Sequence, residues 1–189
     1  MTTAATGRPR DGRIDEALMT ATRDLLVEVG YLRLTMAMVA ERAGTNRPAL
    51  YRRWPTKAHL VHDAVFPSDL PDTVPSPSFA EDLRRRLARM AASYARPEAR
   101  EAVLGLMVDL RSPAERDGVL DALQASARSE FAARIEQAVL DGEVRADIDS
   151  DVVLDTIIGT LLQRVVAQQG DPERVAGELV DLLVRGTRA

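Results

Sequence analysis

A chain of 189 residues, 46% hydrophobic and 29% charged, has the composition of an ordinary globular protein with room for one large core or two small ones. It contains no cysteine, which excludes disulfides, thiolate metal sites and a cysteine nucleophile. No apolar run reaches the roughly 18 residues of a membrane span, and the basic residues 1–10 lack the apolar region of a signal peptide, so a cytoplasmic protein is expected.

The net charge of -4 is unevenly divided. Residues 1–66 carry ten Lys+Arg against seven Asp+Glu, and residues 67–189 carry fifteen against twenty-two. A basic front on an acidic body suits a polyanionic partner, and a chance partition of surface charge equally.

The periodicity is helical nearly throughout, and the fold class expected is all-α with about nine helices. Residues 1–12 read as a disordered arm. Ile14, Ala17, Leu18, Ala21, Leu25 and Leu26 then mark a first helix that stops at Gly30. Thr35 caps a short second helix, with Leu34 and Val39 spaced as a hydrophobic staple and Gly44 as a left-handed stop. A third starts at the Asn46 cap, tolerates Pro48 in its first turn and ends at Trp54, before Pro55. Thr56 caps a fourth helix over 57–66.

The Pro-, Ser- and Asp-rich stretch 67–77 reads as a connecting loop between a domain at 13–66 and another at 78–189. Ser78 and Glu81 form a capping box for a fifth helix, on which Arg84, Arg85 and Arg86 read as a solvated face. A sixth helix spans 98–110. Ser112, Pro113 and Glu115 open a seventh that runs to about Asp141. After a turn at 142–149 come an eighth helix to Gln169 and a ninth from Pro172 to about Arg185.

A short helix, a glycine turn and a second short helix make the compact pair of a helix-turn-helix, whose second helix enters the major groove of DNA by its N-terminal residues. Asn46, Arg47, Ala49, Arg52 and Arg53 are expected on its outer face and Leu50 inside. Arg47 suits the O6 and N7 edge of guanine, and Ala49 a thymine methyl. Thr35, Tyr51 and Lys57 suit phosphates, two of them at helix N-termini that already attract anions. On spacing and charge alone, a helical hairpin with solvated arginines stays open beside this reading.

The residues themselves carry a resemblance. Leu34-Thr35-Met36, Val39-Ala40-Glu41-Arg42-Ala43-Gly44 and Leu50-Tyr51-Arg52-Arg53-Trp54-Pro55-Thr56-Lys57-x-x-Leu60 resemble the N-terminal signature of TetR-family transcriptional regulators over about 27 residues, and the Gly30-Tyr31 exit of the preceding helix matches too. Thr45 departs from it, since the family usually has a small apolar residue there. The resemblance implies DNA contact at Arg47, Pro48, Tyr51, Arg53 and Lys57, and Thr45, Asn46 and Arg52 lie within the same segment. Lys57 is the one lysine of the chain.

The resemblance further implies a small-molecule pocket among the fifth to seventh helices and a dimer interface on the last two. Leu83, Leu87, Met90, Tyr94, Leu104, Met107, Phe131 and Ile135 are candidate pocket linings, and an apolar lining favours a hydrophobic or amphipathic ligand. The eighth helix is apolar nearly all round, which requires burial on more than one side. Ile157, Ile158, Leu161, Leu162 and Val165 are therefore expected at a homodimer interface, with Leu179, Leu182 and Leu183 of the ninth, and a buried helix of the single chain is the alternative.

The expected protein is a homodimeric repressor released from a palindromic operator by ligand, with no cofactor and no membrane partner. An enzyme is the competing class. His59, His62 and Asp63 lie close on one helix, but the sequence supplies no further metal ligands, and no Ser/His/Asp spacing or glycine-rich phosphate loop is present. An interaction adaptor with a vestigial helix-turn-helix would have lost the basic residues, which are here.

Overall fold

The computed structural model describes residues 12–66, 76, 78–109 and 120–188. The expected arm, most of the loop 67–77 and the expected capping box at Ser112 lie outside them. Among the described residues the chain forms α1 (Gly12–Arg33), α2 (Met36–Arg42), α3 (Arg47–Tyr51), α4 (Lys57–Val65), α5 (Phe79–Ala95), α6 (Pro97–Asp109), α7 (Leu120–Leu140), α8 (Ser150–Leu161) and α9 (Pro172–Thr187). A π-helical turn, Leu162–Ala167, extends α8. No described helix is long and apolar enough to cross a membrane.

The ends of these helices follow from local chemistry. Gly30 interrupts α1 with φ 75° and Gly44 ends the α2 turn with φ 65°, both in the left-handed region that glycine enters at little cost. The side chains of Thr35, Asn46 and Thr56 accept hydrogen bonds from Met38 N, Ala49 N and His59 N at 3.3, 2.9 and 3.4 Å, each satisfying an N–H that the first helical turn leaves open. Leu34 and Val39 are both buried, as a staple requires. The capping box on α5 is built only on one side. Ser78 Oγ accepts from Glu81 N, but the Glu81 carboxylate takes the Ser76 hydroxyl at 3.0 Å instead of returning to Ser78 N. The Phe79 N–H is taken by Glu143 from the turn after α7, at 2.9 and 3.1 Å to its two oxygens.

Two hydrophobic cores result. The first joins α1 to α4 around Leu18, Leu26, Val39, Leu50, Leu60 and Val61. It also takes Ala99, Ala102 and Leu106 of α6, so the sixth helix spends its buried face on the N-terminal module although it lies beyond the connecting loop. The second core is made by α5, α7, α8, the π turn and α9, with α9 packed along α5. Leu83, Leu87, Phe131 and Ile135 lie in it.

Three expectations change at this level. Arg85 and Arg86 are not simply solvated: with Arg134 of α7 they surround the buried Asp82 carboxylate at 3.2, 3.6 and 2.9 Å. Ile157, Leu161, Val165, Leu179 and Leu183 are buried inside the single chain, because α5 and α7 cover that side of α8 and α9. Of the residues expected at a dimer interface, Leu182 is exposed and Ile158 and Leu162 are half-buried. Leu104 and Met107, expected to line a pocket, are 63% and 52% exposed, since α6 turns its other face to the first core.

Candidate nucleic-acid interface

α3 is only five residues long, too short to stand alone, and tertiary contacts hold it. Leu50 points inward and is fully buried, while the Asn46 side chain fixes the first turn. The remaining faces are turned outward: Asn46, Arg47, Pro48, Tyr51 and Arg52 are exposed, and Thr45 and Ala49 are half-buried at the edge. Thr35 is exposed at the head of α2. The outer surface of this helix pair thus carries two arginines and a tyrosine next to two helix N-termini.

Arg53 behaves otherwise than the sequence suggests. α3 ends at Tyr51, not Trp54: Arg53 N bonds back three residues to the Leu50 carbonyl in a tightened closing turn, and Trp54 N shares that acceptor. The Arg53 side chain is therefore carried beneath the helix, 14% exposed, where it pairs with Asp15 of α1 at 2.5 Å and donates to Ala49 O at 3.2 Å. It is a strut between α1 and α3 and not an outward-facing reader of bases. Asp15 is the partner that sequence reasoning misses. An acidic residue in the first turn of a helix already has an ordinary explanation in the helix dipole.

Lys57 opens α4 behind its Thr56 cap and is half-buried. Its Nζ donates to the Tyr31 carbonyl at 3.1 Å and lies 4.0 Å from the centroid of the Tyr31 ring. α4 is held at its other end by Arg96, whose guanidinium donates to Val65 O at 2.5 Å and to Ser93 Oγ at 2.9 Å. The helix that carries Lys57 is thus fastened to the rest of the molecule at both ends.

His59, His62 and Asp63 are half-buried on the side of α4 away from its buried stripe, and their contacts are local. Asp63 accepts the Trp54 indole N–H at 2.8 Å and has His62 Nδ1 at 3.6 Å. His59 Nδ1 is 2.7 Å from the Thr56 hydroxyl. Among the described residues no group of three or more His, Cys, Asp or Glu side chains is placed to hold a metal ion.

Comparison with known proteins agrees with this arrangement along nearly the whole chain. Residues 18–64 match "Bacterial regulatory proteins, tetR family", and residues 70–183 match "Tetracyclin repressor-like, C-terminal domain". An HTH-type transcriptional regulator of Mycobacterium tuberculosis, Rv1556, is 30% identical over 158 residues, covering 82% of this chain and 77% of its own. The DNA-binding transcriptional repressor TetR of Mycobacteroides abscessus is 29% identical over 176 residues, covering 87% and 88%. Among solved structures, the TetR family transcription regulator SCO0332 has a TM-score of 0.68 at 24% identity over 94% of this chain and 100% of its own. The regulator FadR from Bacillus subtilis, in complex with stearoyl-CoA, has a TM-score of 0.66 at 16% identity over 92% and 99%. The first of these matches spans the helix pair with its buried Leu50 and exposed arginines, and this chain is a DNA-binding transcriptional regulator of the TetR family.

Proposed function

We propose that the chain is a homodimeric cytoplasmic repressor that grips a palindromic operator through α3 and releases it when a hydrophobic or amphipathic ligand binds. The observation that carries the reading is the division of α3: Leu50 is spent on the core while Arg47, Pro48, Tyr51 and Arg52 are left outside it, Arg47 and Pro48 at the N-terminal end that enters a major groove. Arg47 and Ala49 are the base readers. Thr35, Thr45, Asn46, Tyr51, Arg52 and Lys57 hold the backbone, which fixes register without reading sequence.

Repression is supported by the Mycobacteroides relative, which is a repressor. The ligand class is supported by the stearoyl-CoA complex of a protein with the same fold; Leu83, Leu87, Met90, Tyr94, Phe131 and Ile135, packed in or against the second core, are the apolar residues that would part to receive it. Leu104 and Met107 contribute only if α6 is turned or its outer face covered.

The test is to select an operator from random duplexes and titrate it with Arg47→Ala and Tyr51→Ala proteins. Loss of a bidentate guanine contact is expected to cost about 1–3 kcal/mol and to relax preference at one base pair. Tyr51→Ala is expected to weaken all sequences alike. Retained specific affinity in both variants would remove α3 from the reading.

A further inference from the structure

We propose that Tyr31 and Gly105 position the Lys57 ammonium, so that the strength of this phosphate anchor depends on where α6 sits. The inference rests on Lys57 being the anchor assigned above and names what controls it.

A lysine head group on four rotatable bonds binds a phosphate best when it is already held in place, because ordering it on contact costs entropy. Here the Tyr31 carbonyl takes one of the three ammonium protons at 3.1 Å, and the Tyr31 ring lies 4.0 Å from the nitrogen. Tyr31 itself is almost wholly buried. Its place is set by Gly30, whose φ of 75° and ψ of 162° break α1 and turn the chain toward α6.

The ring is fixed from α6 by backbone rather than by a side chain that yields. A Cβ built on Gly105 would stand 2.0 Å from both Cγ and Cδ1 of Tyr31, closer than any non-bonded carbons approach. α6 reaches the preceding residue as well: a Cβ on Gly30 would stand 3.0 Å from the Glu101 carboxylate. Ala99 and Ala102, on the same face as Gly105, are fully buried against the first core. Helix and ring therefore meet with no flexible group between them, and a displacement of α6 at Gly105 moves the ring that seats Lys57.

The alternative is that Tyr31 is an ordinary core aromatic and Lys57 rests on it by accident. A double-mutant cycle separates the two, read as affinity of the full-length protein for the selected operator over a salt series. Lys57→Ala is expected to weaken binding and to flatten the salt dependence by roughly 0.9 in log–log slope for each phosphate it no longer neutralises. Tyr31→Leu and Gly105→Ala are each expected to weaken binding roughly three- to tenfold when Lys57 is present, the effect of removing one cation–ring interaction. In the Lys57→Ala background both are expected to have less than about twofold effect. Tyr31→Phe keeps the ring and the carbonyl and is expected to bind as the parent does.

Equal effects with and without Lys57 would overturn the proposal, because a packing residue acts on both proteins alike. If Gly105→Ala does not fold, as judged by thermal melting, the Tyr31→Leu cycle decides alone. If Lys57→Ala changes neither affinity nor slope while Arg47→Ala does, the anchor assignment fails and this inference with it, but α3 remains the DNA-binding helix. If neither Lys57→Ala nor Arg47→Ala has an effect, the reading of the whole site fails.

Discussion

Trp54 fills the aromatic place of the helix-turn-helix signature, and the structure gives its indole N–H a definite partner in Asp63, in the second turn of α4. Burial pushes the Asp63 carboxyl up, but hydrogen bonds from His62 and Trp54 more than offset it, and it lies below the usual carboxylate range. Burial also holds the neighbouring His59 imidazole below its ordinary value, against the pull of Asp63. Both shifts act in the same direction on stability. A histidine whose folded pKa is depressed favours folding above its unfolded value of about 6.5 and loses that contribution as pH falls through the folded one. The Asp63 contribution persists to lower pH and is lost as the carboxylate protonates. Stability is therefore expected to fall on acidification from about pH 7 to 5, and His59→Gln is expected to flatten that fall, as urea midpoints across the series will show. The residues named by the signature are legible in the sequence because their spacing is local. The direction of Arg53 is not, because it is set by where α3 ends and by Asp15, 38 positions earlier in the chain.

At the scale of elements, caps and stops are the most legible features. Thr35, Asn46, Thr56, Gly30 and Gly44 do in the structure what their side chains dictate within one turn. The junctions between helices are not legible, because they depend on distant partners. The N-terminus of α5 is closed by Glu143, and its flank is tied to α7 through Asp82 and Arg134. Nothing in the run of three arginines at 84–86 indicates that a buried aspartate two positions before it will hold two of them. Asp82 is 5% exposed at its side chain and faces three half-buried guanidinium groups, so removing its charge takes away the carboxylate that all three share. Asp82→Asn is expected to cost about 3 kcal/mol, whereas Arg84→Ala, on the exposed side of the same helix, is expected to change stability by less than about 0.5 kcal/mol. Denaturant unfolding of the two variants compares them directly.

For the whole molecule, the largely apolar eighth helix poses a choice between a dimer seam and a monomer core, and the three-dimensional arrangement divides it. One side, with Ile157, Leu161 and Val165, closes the second core against α5 and α7. The other leaves Val152 61% exposed, Ile158 and Leu162 half-buried, and Leu182 of α9 65% exposed. Period alone cannot make this division, since a helix flanked on two sides looks the same whether the second neighbour belongs to its own chain or to another. The exposed side is the surface on which two copies are expected to meet. A charge there should separate them without touching the core. Leu182→Glu is expected to give monomers by sedimentation while keeping its far-UV spectrum. Leu179→Ala, three positions away but buried, is expected to cost about 2–5 kcal/mol of stability and to remain self-associated. The monomeric variant should also bind one operator half-site at a time, since only a dimer spans two half-sites about 34 Å apart, and its salt dependence should fall to about half. If Leu182→Glu stays dimeric, the two copies meet elsewhere. The exposed Leu104 and Met107 of α6 are then the next face to test by the same substitution.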